Sequence, residues 1–436
     1  MYFGRIPRFS PSFSLKDAVT SARLIARPPE DAPKVHEFEQ AFARFIGVKH
    51  AVMTPSARYA CYLILKAYGI GDAPDRADEV VIPGLTYFAI PSIAVTAGVR
   101  PVFADVGLRT HVLDPAAFEA AITPRTRAVI PTHLYGTPCD LDAIGTIARK
   151  HGIKVIEDCA QSTGARYRSK LPPGSPGAGG TDHRVGSFGD AAYYTFGLTK
   201  NMTTLTGAMV TTNDDTVADS VRKAIDASTP AALTRARKEA VTGLAMKLAT
   251  HPFVYPLTLH PVIVIGNKLG KDPIHEPFGE AEVLYEELPK SFLSNRPRAV
   301  QAAVGLQQLA RVDGLNASRA KNGRFLDEHL AFVPGLIVPE YPEGAEPIYM
   351  SFVVHHSRRD DLCALLRKRG VDTTTGYMND CSDHPLFPEF RRPCPNAATI
   401  KREQLHIPVH PSLDARDLSH MVEAVRSACL ELGRSA

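Results

Sequence analysis

Between residues 50 and 212 the chain alternates short Val- and Ile-rich runs with helix-like segments. The runs are AVMT at 51–54, EVVIP at 79–83, PVFADV at 101–106, RAVIPTHLY at 127–135, KVIED at 154–158 and AMVTT at 208–212. They carry little polar alternation, as expected of strands buried on both faces. Between them, Leu141, Ile144 and Ile147 recur at helical spacing, and Gly152 after Lys150 and His151 marks a stop. This alternation predicts an α/β fold, with a mostly parallel central sheet and helices on both faces. Ligands of such sheets sit beyond the carboxyl ends of the strands.

The rest of the chain divides around that core. Residues 171–184, LPPGSPGAGGTDHR, read as a loop insertion. Residues 214–290 read as helices plus an irregular connector, and AVQAAVGLQQLARV from 299 as a helix. From about 320 a second αβ unit follows, with strands near 348–354 and a helix at 359–369. The expected domains are an N-terminal segment (1–30), a large domain (31–290) and a small C-terminal α/β domain (291–436). No internal repeat is evident. The stretch 240–266 is apolar, but Lys247, His251, Pro252, Pro256, His260 and Pro261 interrupt it. A spanning helix needs about 20 largely apolar residues in a row and tolerates clustered prolines poorly. The segment reads first as a dimer or domain interface, and second as a contact with a membrane surface or a lipid-linked substrate.

A formal charge of +4 over 436 residues does not point to nucleic acid. Hydrophobic residues at 44% and charged residues at 22% are those of an ordinary soluble protein. The seven cysteines are odd in number and form no C-x-x-C pair, which argues against a disulfide framework and a zinc site. The first residues, MYFGRIPRFSPSF, lack a signal-peptide core, so the cytoplasm is the expected compartment.

Four segments carry candidate chemistry, each with a purely structural alternative. In TPSARYACYLILKAYGIG (54–71), a strand turns into a helix whose N-cap is Ser56. The first-turn amides, beginning at Ala57, suit a phosphate, and Arg58 could add a bidentate contact. The alternative is a capped helix with Arg58 in solvent. In GLTYFAI (84–90), Tyr87 sits where a strand gives way to a loop, as a ligand-stacking ring or a core aromatic. In KVIEDCAQS (154–162), Glu157 and Asp158 end a buried strand on opposite faces, so only one can enter the ligand crevice. A buried acid there needs a partner, and a protonated pyridine nitrogen is a suitable one. Gln161 could reach the same ligand, and the alternative for Asp158 is a helix cap. In AAYYTFGLTKNMTTLTGAMV (191–210), Lys200 lies in a loop of hydroxyl and aromatic residues between two strands. A lone lysine is usually a surface charge, but one drawn partly out of water is a nucleophile for aldehydes. Together the four segments offer a phosphate cradle, a stacking ring, an acid for a pyridine nitrogen and a lysine for an aldehyde, the features that pyridoxal phosphate presents.

The sequence resembles the DegT/StrS-type aminotransferases over nearly its whole length, from PKVHEFEQAFARFIGVKHAV (33–52) to HIPVHPSL (406–413). The motifs HLYGTPCDLDAI (133–144), VIEDCAQSTGA (155–165), VGSFGDAAYYTF (185–196) and TKNMTTLTGAMV (199–210) carry it most strongly. The resemblance implies the aspartate-aminotransferase fold (fold type I), pyridoxal 5'-phosphate as cofactor, and homodimers with both active sites at the interface. It implies amino transfer from an L-amino acid, with glutamate the expected donor, to a keto group of a sugar nucleotide or cyclitol. The alternatives are a non-sugar or lipid-linked keto substrate, or a non-catalytic regulatory or scaffold member of the fold. By the same resemblance Lys200 matches the Schiff-base lysine, Asp158 the acid at the pyridine nitrogen and Gln161 the side chain near the phenolic oxygen. Tyr87 matches the stacking aromatic, Thr195 stands where the family has a phosphate-binding Ser, and Ala57 and Arg58 occupy the phosphate-cradle positions. Arg58 departs from the usual Thr. The N-x-R segment that reaches into the partner's site has Ser294 at its first position, with Asn295 beside it and Arg296 retained. The His-Tyr pair common in the family reads Gly376-Tyr377, so the cofactor half looks kept and the substrate half changed.

Overall fold

The structure, a computed structural model, describes residues 5–171, 183–268, 284–376 and 378–434. Most of the expected loop at 171–184, and the candidate Tyr377, lie outside the described residues. The core of the larger unit is a seven-stranded sheet. Its strands are β1 (His50–Thr54), β2 (Glu79–Pro83), β3 (Arg100–Ala104), β4 (Thr126–Val129), β5 (Lys154–Asp158), β6 (Ala191–Thr195) and β7 (Ala208–Thr212). They lie in the order β1-β7-β6-β5-β4-β2-β3. Strands β2 to β6 are mutually parallel, and β7 alone runs antiparallel to both neighbours. β1 therefore points the same way as β6, and the carboxyl ends of β1, β2, β5 and β6 share one edge. All residues of β2 and β7 are buried, which explains their unbroken apolar pattern.

Local signals act where the sequence predicts them. Asp140 caps the helix Leu141–His151 through the Ala143 amide, and Gly152 closes it at φ +64°. The run at 127–135 is strand only through Val129. Pro131 has no N–H to donate to a ladder, and Tyr135 takes a left-handed φ of +58°. Beyond β4 a single bridge, Thr132 to Asp158, continues the pairing. All seven cysteines are free and buried. Among the described residues no helix is long and apolar enough to cross a membrane.

The smaller unit is built on an antiparallel pair, β8 (Phe352–His355) and β9 (Gln404–Ile407), packed against helices Val312–Leu330, Arg359–Lys368 and Ala415–Arg434. Ile6, near the N-terminus, belongs to this second core and bridges to Val371. Arg8 grips Asp372 through two hydrogen bonds of 2.8 and 2.9 Å, and the Tyr255 hydroxyl donates to the same carboxylate at 2.9 Å. The segment 240–266 becomes the end of helix Leu233–Ala249, a turn, and most of helix Leu259–Lys268. Phe253, Leu257, Val262 and Ile265 on it are exposed.

One contact between the units is titratable. His111, in the loop after β3, and His355, at the end of β8, meet Nε2 to Nε2 at 2.5 Å with rings stacked 4.8 Å apart. Burial, then the neighbouring His355 and His406, hold His111 well below the ordinary histidine value, and burial lowers His355 from 6.5 to about 4. Unfolded histidines titrate near 6.5, so below that pH the unfolded chain binds more protons than the folded one. The stabilisation is complete above about 6.5 and drains away as pH falls toward about 4. For His355 alone this amounts to ~3 kcal/mol. Denaturant midpoints measured from pH 7.5 to pH 4 are expected to fall, and His355→Gln to flatten that slope. An unchanged slope in the variant would remove the pair from the account.

Candidate active site

The two acids that end β5 face opposite ways and do different work. Glu157 is fully buried. Its Oε1 accepts the amides of Phe188 and Gly189 at 2.8 and 2.7 Å, and its Oε2 accepts that of Gly186 at 2.7 Å. His133 Nε2 lies 3.0 Å from Oε2, while His133 Nδ1 accepts the Cys139 amide, so the imidazole proton sits on Nε2 and points at Glu157. Glu157 thus serves as a structural anchor for the VGSFGD turn. His133, Glu157 and Cys159 are grouped closely enough to suggest a metal site. Both imidazole nitrogens and both carboxylate oxygens are already engaged, so the cluster has no histidine or glutamate ligand atom left for an ion.

Asp158, on the other face, is also buried. Its Oδ1 accepts the Ala160 amide at 2.9 Å, and its Oδ2 is reached by the Thr132 hydroxyl only at 3.5 Å. Burial pushes its carboxyl above the usual range, while the Ala160 amide, the Tyr193 hydroxyl and the charge of Lys200 pull it back. Three residues on, Gln161 is buried, accepts the Tyr135 amide at 3.0 Å through Oε1, and directs Nε2 to Met378 Sδ at 3.7 Å.

Lys200 stands in the loop that joins β6 to β7. Thr195, half-buried, is the last residue of β6 and pairs with Ala208. The loop is closed by its own hydroxyl residues and backbone. Phe196 N–H donates to the Gly207 carbonyl at 2.9 Å, and the Phe196 carbonyl accepts both the Thr203 hydroxyl and the Thr204 amide at 3.0 Å. Asn201, buried, then fastens the loop to the turn that follows Asp158. Its Nδ2 donates to the Thr163 carbonyl at 2.7 Å and to Asn316 Oδ1 at 3.2 Å, and Asn316 Nδ2 donates to the same Thr163 carbonyl at 2.9 Å. This clamp holds the half-buried Lys200 within electrostatic reach of Asp158.

The remaining candidates gather at the same edge. Ser56 caps the helix Ala57–Ala67 by accepting the Tyr59 amide at 3.2 Å, which leaves the amide of Ala57 at the open end of the helix. Arg58 follows Ala57 in the first turn of this helix. Its guanidinium donates to the Tyr285 hydroxyl at 2.7 Å and lies 5.3 Å above the Phe292 ring. Tyr87, half-buried, follows Leu85–Thr86, which pairs with Asn379–Asp380 of the C-terminal part. The Thr86 hydroxyl lies 3.4 Å from that of Thr132, so hydroxyl groups run from beside Tyr87 to Asp158. Arg296 bridges to Pro230 and donates to the Asp226 carbonyl at 3.2 Å, and Asn295 beside it is half-buried. Gly376 and Met378, the neighbours of Tyr377, are both described.

The structure therefore brings Ser56, Ala57, Tyr87, Asp158, Gln161, Thr195 and Lys200 to the carboxyl edge of one sheet. The roles of Glu157, Asn201 and His133 escape a sequence reading, because each depends on a partner more than twenty positions away.

Residues 27–251 and 293–426 match the DegT/DnrJ/EryC1/StrS aminotransferase family. The stretch 252–292, with the exposed apolar residues of the connector, falls outside that match. The chain is 45% identical over 401 residues to GDP-perosamine synthase of Caulobacter vibrioides, covering 89% of this chain and 88% of that one. It is 29% identical over 398 residues to dTDP-3-amino-3,4,6-trideoxy-alpha-D-glucose transaminase of Streptomyces venezuelae, covering 90% and 86%. Among solved structures it is similar to S. venezuelae DesV in complex with a ketimine intermediate, with TM-score 0.72 and 27% identity, over 98% and 99% of the two chains. With the match spanning both cores and the sheet edge where the site forms, the chain belongs to the DegT/DnrJ/EryC1/StrS aminotransferase family.

Proposed function

We propose that this aminotransferase, working with pyridoxal phosphate, moves an amino group from an L-amino acid, expected to be glutamate, to the keto carbon of a nucleotide-linked sugar. One observation carries the reading. A buried carboxylate at the end of β5 meets, among the described residues, one amide and the hydroxyls of Thr132 and Tyr193 but no ion-pair partner in contact, and a half-buried lysine lies within reach of its charge. Such an acid gains from a cationic ring N–H, because burial disfavours its charge and a charge-assisted hydrogen bond restores it.

The donor set fits the cofactor. Asp158 would hold the pyridine nitrogen, Gln161 the phenolic oxygen side, and Tyr87 would cover the ring. Ser56, Ala57 and Thr195 would take the phosphate, helped by the helix N-terminus. Arg58, in the same first turn, would add a contact from the guanidinium that also donates to Tyr285 and lies over Phe292. When bound, the cofactor supplies the electron sink that lets a substrate Cα–H ionise. Lys200 would hold the cofactor's aldehyde and, once the donor's amine has taken its place there, its freed amine would carry the proton that leaves the donor's Cα. Asn201 positions Lys200 for that transfer. The relatives named GDP-perosamine synthase and dTDP-3-amino-3,4,6-trideoxy-alpha-D-glucose transaminase support a sugar-nucleotide acceptor. Family membership supports a homodimer with shared active sites, in which Asn295, Arg296 and Tyr377 would face the partner's cofactor or the substrate.

Two measurements follow. Protein loaded with pyridoxamine phosphate is expected to regain the absorbance of the aldehyde cofactor when mixed with nucleotide-linked 4-keto or 3-keto sugars, and Lys200→Ala to lose turnover by at least ~10³-fold. Regain with simple keto acids but with no keto sugar would sink the acceptor assignment. Asn201→Ala removes two buried hydrogen bonds, so it is expected to cost about 1–3 kcal/mol of stability. Its kcat should fall roughly tenfold while cofactor affinity changes little. Full activity in that variant would show that the clamp does not position the lysine.

A further inference from the structure

The family resemblance puts a histidine ahead of the tyrosine at 377, and this chain has Gly376 there. The structure holds an imidazole at that place all the same, brought in from another element. His406, on β9, is buried, and its backbone N–H donates to the Thr374 carbonyl at 2.8 Å. Gly376 sits at φ +77°, and a Cβ built on it would overlap His406 Nε2 and lie 3.0 Å from Cδ2 and 3.1 Å from Cε1. Position 376 is therefore closed to a side chain by the ring of residue 406.

That ring is held from two other sides. Its Nδ1 lies 3.0 Å from the Ser351 hydroxyl, and its edge meets the Tyr135 ring at 5.0 Å and 89°. Tyr135 in turn gives its hydroxyl proton to Gln404 Oε1 at 2.6 Å and its amide to Gln161 Oε1 at 3.0 Å. From the other direction, Gln161 Nε2 reaches Met378, two residues past Gly376, and Lys401 Nζ donates to the Met378 carbonyl at 2.8 Å. Contacts thus run from Gln161 through Tyr135 and His406 to Gly376 on one side, and from Gln161 to Met378 on the other.

We propose that His406 fills the side-chain space of Gly376, and that it is a positioning residue for the segment Thr374–Gly376, which it links through Tyr135 to Gln161. The glycine and the histidine form one unit. A side chain at 376 would collide with the imidazole, and the imidazole is held by Ser351 and Tyr135. The positioning role rests on the amino-transfer reading above, whereas the shared space does not.

The test is a swap in the full-length holoenzyme, with His406→Ser, Gly376→His and the double variant. Melting temperature and the L-glutamate half-reaction, followed by cofactor absorbance, are read for each. His406→Ser is expected to lower the melting temperature of the wild-type background and to raise it in the Gly376→His background, where it frees the crowded space. Histidine is among the residue types that tolerate left-handed backbone best, so the double variant keeps a usable turn. His406→Ser alone is expected to raise the half-saturating glutamate concentration about tenfold with the maximal rate within about threefold, and the double variant to recover most of that loss. Equal melting shifts in both backgrounds would overturn the shared space. An unchanged glutamate response in His406→Ser would overturn the positioning role. Wild-type enzyme inert to glutamate would count against the amino-transfer reading, and the sign of the melting shifts would still decide the pairing of 376 with 406.

Discussion

A carboxylate removed from water at the end of a sheet strand demands a positive partner, and the site is arranged around that demand. Asp158 is buried, and burial alone pushes its carboxyl toward the neutral form. The fold counters with one backbone amide, the Tyr193 hydroxyl and the charge of Lys200. None of these neutralises it as completely as an ion pair would. In the function proposed above, the partner it faces is the protonated pyridine nitrogen of the cofactor, a cation that would restore the charged form of the acid.

Everything nearby keeps that geometry rigid. The adjacent Glu157 turns the other way and ties three amides of the Gly186–Gly189 turn to β5. Asn201 and Asn316 converge on one carbonyl, that of Thr163, and so bind the lysine loop to the segment just past Asp158. Three separate chain regions meet there, and they fix how far the amine of residue 200 stands from the acid. The antiparallel β7 makes this arrangement possible. It returns the chain directly from the lysine loop, so the loop is a hairpin closed at both ends, not a long crossover.

Much of this was legible before any coordinates. Unbroken Val and Ile runs announce strands covered on both faces, and such strands place their ligands at one edge. Ser56 and Gly152 mark helix ends through local hydrogen bonds and backbone freedom, which depend on residues three or four positions away. What the sequence concealed depends on distant partners. The contacts of Arg58 with Tyr285 and Phe292, more than two hundred positions on, are likewise invisible in the local sequence. Glu157 and Asp158 are adjacent and chemically alike, and only the turn at 186–189 distinguishes them. The strand expected at 127–135 stops early because Pro131 has no proton for the ladder. Gly376 reads as a lost histidine, and the imidazole that replaces it comes from thirty residues later.

If Asp158 holds the cofactor ring as proposed, the amine of Lys200, and no other, is joined to the cofactor's aldehyde. Borohydride reduction of the holoenzyme followed by peptide mass mapping tests this most directly. The account predicts a pyridoxyl-phosphate mass on the peptide containing Lys200 and on that peptide alone, with Asp158→Asn weakening cofactor retention before reduction. A label on a different lysine, or holoenzyme whose cofactor reduction cannot trap, would contradict it.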